Sequence, residues 1–300
     1  LSLWIGFNAL LLALMGADMA LFRRTDRPAG TGRLVLTTLV WIAVAIGFGL
    51  WIGHRAGGGK SLEFFTGYVI EYALSIDNIF IFVLVFASFK IAADQQHRLL
   101  FWGVLGALVM RGLMIWCGAA LLHQFEWVIY LFGAYILYAG VAMLMHKKDV
   151  EVEKMLVVRL ARRFLPLSSK DEGDHFIVRE NGRLKFTLLF LVLIVVEMTD
   201  LIFALDSIPA IFGVTRDPFI VYTSNVCAIL GLRSLYFLLA GAVKSLVYLH
   251  VGLACVLIFI GGKMVIEGFY PVSTEISLIV VGGILGVAVA ASLMKTKFST

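Results

Sequence analysis

Charge is scarce in this chain. Only 15% of its residues are Asp, Glu, Lys or Arg and 61% are hydrophobic, where soluble globular domains hold about 25% charged residues. That balance excludes a soluble fold, because so much apolar surface has to be buried in lipid. Cysteine is scarcer still. Cys117, Cys227 and Cys255 are odd in number and dispersed in apolar stretches, which excludes a disulfide framework or a thiolate metal cluster and leaves them as small packing residues. Histidines at ligand spacing are missing too: His54, His97, His123, His146, His175 and His250 fall at the ends of apolar stretches or in loops. Neither Gly-x-Gly-Asp nor His-Glu-x-x-His occurs, so the motifs of intramembrane aspartyl and zinc proteases are absent and no enzyme is expected. The chain starts at Leu1 rather than methionine. That leaves room for an upstream segment, and no signal or transit peptide is read from it.

What the sequence has in abundance is apolar runs long enough to cross a bilayer, which takes about 20 residues. Nine qualify: 3–22, 34–53, 64–89, 98–122, 127–145, 186–213, 219–241, 246–267 and 275–294. The expected fold is therefore all-α, a single polytopic bundle over 1–300. One polar segment, 146–185, stands apart with ten Lys/Arg and seven Asp/Glu, and reads as a partly ordered surface loop with a short amphipathic helix near Val152–Phe164. Placing the N-terminus outside puts nineteen Lys/Arg in cytoplasmic loops and three in outer ones, with Arg111, Arg233 and Lys263 inside spans. By the positive-inside rule this predicts N-terminus out, C-terminus in, and 146–185 cytoplasmic, in a cell (inner) membrane.

Two segments resemble each other. Glu71 is followed six residues later by Asp77-Asn78-Ile79, and Asp200 six residues later by Asp206-Ser207-Ile208. The next span in each case carries an arginine, Arg111 or Arg233, and the one after that a Gly-x-x-Met, Gly140–Met143 or Gly261–Met264. Spans three to five (64–145) thus read as repeated in spans six to eight (186–267). A three-span unit repeated once enters the membrane from opposite sides, the inverted repeat of secondary transporters, whose site lies at the repeat interface near the midplane.

Carboxylates at membrane depth are expensive and usually face a cavity or an ion path. Spans three and six hold Glu71, Asp77, Glu197, Asp200 and Asp206. Helical spacing puts Glu71, Ser75 and Asn78 on one face and Glu197 with Asp200 on another. Asp77 and Asp206 fall off those faces, and are expected to meet across the repeat axis. Pro209 is expected to break the sixth helix and free the Leu205 carbonyl. Some of these acids must pair with Arg111, Arg233 and Lys263. Five acids against three bases leave a surplus of two negative charges, which a divalent cation would balance. The candidate metal-binding residues are Glu71, Asp77, Asn78, Glu197, Asp200, Asp206 and Ser207, with Arg111, Arg233 and Lys263 balancing charge. All the ligands are hard oxygen donors, which suit Mg2+, Ca2+ or Mn2+ and argue against Cu+. A carrier returning empty through lipid would take about two protons in the metal's place, so protons are the expected counter-ion.

On these residues the chain closely resembles the TerC family of membrane proteins, in its Alx-like branch. The matching stretches include Phe64–Glu71 running into Ser75-Ile-Asp77-Asn78, Gly106–Arg111, Val178–Arg183, Glu197-Met-Thr-Asp200, Phe203–Ala210, Thr223-Ser-Asn225 and Ala228–Arg233. Leu188 departs from the pattern, standing where the family often has proline at the mouth of the sixth span. The resemblance implies Mn2+ export and metal homeostasis. It also leaves open a relative's roles: transport of Ca2+ or another divalent ion, or a non-transporting scaffold or assembly protein in metal or tellurite stress. Export as the direction rests on this resemblance alone.

Overall fold

The computed structural model describes residues 2–23, 31–145, 156–168, 175–180, 182–240, 248–266, 268–270 and 272–298. Inside a bilayer every backbone N–H and C=O needs a partner within the chain, so apolar runs fold as helices. The chain does so, in the order α1 (Ser2–Arg23), α2 (Thr31–Ala56), α3 (Gly58–Ser88), α4 (Ala93–Gln124), α5 (Val128–Met145), α6 (Leu156–Phe164), β1 (Ile177–Glu180), β2 (Arg183–Phe186), α7 (Leu188–Phe212), α8 (Pro218–Leu230), α9 (Leu232–Leu239), α10 (Leu249–Ile266) and α11 (Thr274–Phe298). The protein is an all-α polytopic membrane protein. Among the described residues seven helices are long and apolar enough to cross a membrane (α2, α3, α4, α5, α7, α10 and α11), and the bent pair α8–α9 makes an eighth. The first expected span is α1, whose described apolar stretch, Leu3–Gly16, is shorter than that measure.

The outer helices turn large apolar side chains outward, among them Leu36 and Leu39 on α2, Val109 and Trp116 on α4, Tyr138 on α5 and Ile279 on α11. Contiguous apolar surface of this kind faces lipid. At the centre α3 packs on α7 and α8, while α7 packs on α4. Every α8 residue from Ile220 to Leu230 is buried. Its start is set locally, since Asp217 accepts a hydrogen bond from the Phe219 amide at 3.0 Å and Pro218 follows at the first helical position.

α5 and α10 lie backbone to backbone. A Cβ on Gly261 would fall 2.5 Å from the Leu137 nitrogen, and one on Gly140 would fall 2.9 Å from the Ala254 oxygen. Small residues at such crossings let membrane helices approach closely without water or lipid between them.

One expectation needs correction. Pro209 does not break its helix: α7 runs unbroken from Leu188 to Phe212. The proline sits so near the C-terminal end that only the Leu205 carbonyl loses its partner, and Gly213 still donates to the Pro209 oxygen at 3.0 Å. The break comes one span later, where α8 and α9 meet at Gly231 with a 40° bend. The described part of the polar segment holds a hairpin as well as a helix. β1 and β2 form an antiparallel hairpin pairing Ile177 with Phe186, closed at Gly182, whose φ is +76°. The expected amphipathic helix is present as α6, and residues 152–155 of that expectation lie outside the described residues. At the mouth of α7, Thr187 caps the helix, accepting from the Phe190 amide at 3.4 Å. Leu188 thus occupies the first helical turn, where a proline would also fit.

Candidate functional site

Glu71, Ser75 and Asn78 line one face of α3 and are all buried, as their spacing requires. Asp200 and Ser207, seven residues apart on α7, are buried opposite them. Arg111 reaches in from α4 with 1% of its surface exposed. Its guanidinium is shared between the two acids. Nε donates to Asp200 Oδ2 at 3.1 Å and Nη2 to Asp200 Oδ1 at 2.9 Å, a fork-on-carboxylate pair. Nη1 is ion-paired with Glu71 Oε1 and lies 3.4 Å from Ser207 Oγ.

A residue not singled out from the sequence completes the network. Asn225 of α8 accepts from Arg111 Nη1 at 2.7 Å and donates to Glu71 Oε2 at 3.1 Å. Asn78 donates to Asp200 Oδ1 at 3.2 Å, and Ser75 to Glu71 Oε1 at 3.3 Å. Every oxygen of the two carboxylates therefore has a donor. Desolvating these charges is costly, and the pair persists because its hydrogen bonds are complete. The signal for Asn225 was present: an amide deep in an apolar span must find a partner.

Glu197 stands one turn before Asp200 and is not drawn into the Arg111 network. Its carboxylate lies over Gly106, where a Cβ would come 2.2 Å from Oε1. Its Oε2 is buried without a hydrogen-bond partner. Beside it is a small cavity of about 10 Å³, room for roughly one water, lined by Glu197, Asp200, Gly103, Val104 and Arg233 among others.

The other expected site residues are spread more widely. Asp206 points away from Arg111 towards α5, where it takes a hydrogen bond from the Tyr135 hydroxyl. Lys263 is buried on α10 and donates to Ser277 of α11 at 3.1 Å. The side chain of Asp77 lies outside the described residues, and so does its expected approach to Asp206. Among the described residues no three of His, Cys, Asp and Glu gather as a metal-binding group. The structure thus joins Glu71, Asn78, Asp200, Ser207 and Arg111, and puts Glu197 and Arg233 on an adjoining cavity.

Comparison with known proteins agrees with the resemblance read from the motifs. The model of the integral membrane protein TerC family matches residues 56–300. An uncharacterised membrane protein of Myxococcus xanthus is 45% identical over 99% of this chain and 93% of its own length. A protein of Escherichia coli whose name describes a membrane-bound redox modulator, Alx, is 44% identical over 94% of this chain and 91% of its own. An uncharacterised membrane protein of Rickettsia felis is 36% identical over 97% of both. No solved structure matches. With a family model covering most of the chain and relatives similar over nearly all of it, the chain belongs to the TerC family of integral membrane proteins.

Proposed function

We propose that this protein is a membrane carrier for a hard divalent metal cation, exporting Mn2+ in exchange for protons. The observation that carries the reading is the shell around Arg111. Two membrane-depth carboxylates, two side-chain amides and two hydroxyls surround one buried positive charge. All six groups offer hard oxygens, the chemistry that Mn2+, Mg2+ and Ca2+ prefer. Six is also a sufficient coordination number.

In this conformation the guanidinium does what a cation would do. Arg111 offsets one of the two negative charges of Glu71 and Asp200, and a divalent ion would offset both. Metal would therefore enter as Arg111 leaves, with Glu71 and Asp200 as its anionic ligands and Asn78, Asn225, Ser75 and Ser207 completing the shell. Glu197 beside the cavity is the proposed relay between that shell and solvent. On the return leg protons on the carboxylates avoid carrying bare charge through lipid. The N-terminus is proposed to lie outside and the C-terminus in the cytoplasm, in the inner membrane.

Purified protein in sealed proteoliposomes tests this with Mn2+, Ca2+ and Mg2+ as separate cargoes. Mn2+ flux driven by a pH gradient is expected, and it should vanish in Asp200→Asn and Glu71→Gln variants that remain folded. A folded wild-type protein that moves none of the three ions would exclude the carrier and leave a scaffold or assembly role. Flux that follows membrane potential and ignores the pH gradient would keep the carrier and discard the proton exchange.

A further inference from the structure

We infer that Arg111 and Arg233 take turns as the resident counter-charge of the Glu71–Asp200 pair, one in each access state of the carrier. The inference rests on the transport reading above, but not on which ion moves. Its first support is the register of the two repeats. Aligned on their acids, Glu71 matches Asp200 and Asn78 matches Ser207; aligned on their arginines, Arg111 matches Arg233 and Gly103 matches Asn225. The two carboxylates that hold Arg111 are therefore the matching pair, one from each repeat. A two-fold axis in the membrane plane would pass between them.

Helix packing follows the same pairing. α3 packs on α8 as α7 packs on α4, and α5 and α10, which match each other, pack together. These contacts, the largest between the two repeats, come in matching pairs, as a two-fold related repeat requires.

The two halves differ where the site is. On one side of Asp200 the space is filled, with Arg111 in the network and Asn225 bonded to both Arg111 and Glu71. On the other side Arg233 lines the small cavity with Asp200, and the residue matching Asn225 is Gly103, also on the cavity wall. The cavity is thus the counterpart of the filled half. Arg111 sits on an unbroken helix, whereas Arg233 follows the bend between α8 and α9 by two residues. Straightening α8–α9 at Gly231 is the movement that would carry Arg233 onto Asp200. A Cβ at Gly231 would meet nothing closer than Trp41 Cβ at 3.6 Å, so alanine fits there. It also favours continuous helix over glycine.

The test reads conformation rather than flux. Single cysteines at the matching positions Val104→Cys and Val226→Cys, in a chain otherwise free of cysteine, are labelled with an impermeant thiol reagent from each side of oriented vesicles. Arg111→Gln should change labelling at the two positions in opposite senses by about fivefold or more, Arg233→Gln should do the reverse, and Gly231→Ala should act like Arg111→Gln. The charge-matched pair Arg111→Gln with Glu71→Gln should reproduce the Arg111→Gln pattern if the single variant does not fold. Both arginine variants shifting labelling in the same sense, or neither shifting it, would overturn the exchange. Reciprocal labelling in a protein that moves no metal would instead sink the metal reading and leave the exchange standing.

Discussion

With Arg111 in place, Glu71 and Asp200 are 1% and 4% exposed, and removing its guanidinium would strand them as neighbouring anions in this conformation, the one in which Arg233 stands apart on the cavity wall. Breaking a buried pair from one side costs about 3–5 kcal/mol. Arg111→Gln should therefore lower thermal stability in detergent strongly, and adding Asp200→Asn should restore much of the loss. Arg111→Lys keeps the charge but cannot reproduce the fork on Asp200, so it should fall between the two. Equal melting of Arg111→Gln and Arg111→Lys would mean that the fork on Asp200, not the charge by itself, holds the centre. Gly106 makes a subtler demand. Alanine there would push the Glu197 carboxylate aside, so Gly106→Ala should reduce transport as Glu197→Gln does while leaving the melting temperature closer to wild type. A Gly106→Ala protein with full transport would show that Glu197 need not lie where it does.

At the scale of helices, the glycines between α5 and α10 allow a backbone-to-backbone approach. Overpacking a close contact costs about 1–3 kcal/mol, so Gly261→Ala should destabilise measurably, since its Cβ would meet backbone rather than a movable side chain. Gly262→Ala, one residue on, meets nothing within 4 Å and serves as the control. The same scale shows what the sequence could and could not tell. Hydropathy located the apolar helices because a dry environment leaves the backbone no alternative. Helical spacing put Glu71 with Ser75 and Asn78, and separated Asp206 from Asp200, because those relations are internal to one helix. It could not choose which arginine would close on the acids, since that depends on how α4 and α8–α9 sit against α7. Proline misled, because its effect depends on distance from the helix end. The hairpin had its signal in Asn181-Gly182, a dipeptide suited to a two-residue turn. Charged residues around it hid the alternation of its strands.

For the whole molecule, sidedness is the open quantity. Nineteen of the basic residues fall on one side of the expected topology, and under the proposed orientation the β1–β2 hairpin lies on that cytoplasmic side. A protease site inserted beside Gly182 should be cleaved only in inside-out vesicles, and cleavage from the outer face would invert every assignment of direction. The burial of α8 from Ile220 to Leu230 carries a further consequence, for how the chain is made. Its thirteen residues extend only about 20 Å, well short of the ~30 Å of hydrocarbon. Its continuation, α9, brings Arg233 to membrane depth, and the pair also carries Thr223, Ser224 and Asn225. Presented alone to the insertion machinery, this hairpin-length segment has little reason to enter lipid, because an arginine near a helix centre disfavours insertion by about 2.5–3.5 kcal/mol. It gains its partners only once α3, α4 and α7 have already been delivered. Synthesis must therefore hold α8–α9 at the protein-conducting channel, or let it enter late, against a scaffold assembled earlier. In a glycosylation-mapping assay the isolated segment 217–240 should insert poorly, and the same segment behind α2–α7 should insert well. Efficient insertion of the isolated segment would show that α8 does not wait for the rest of the bundle.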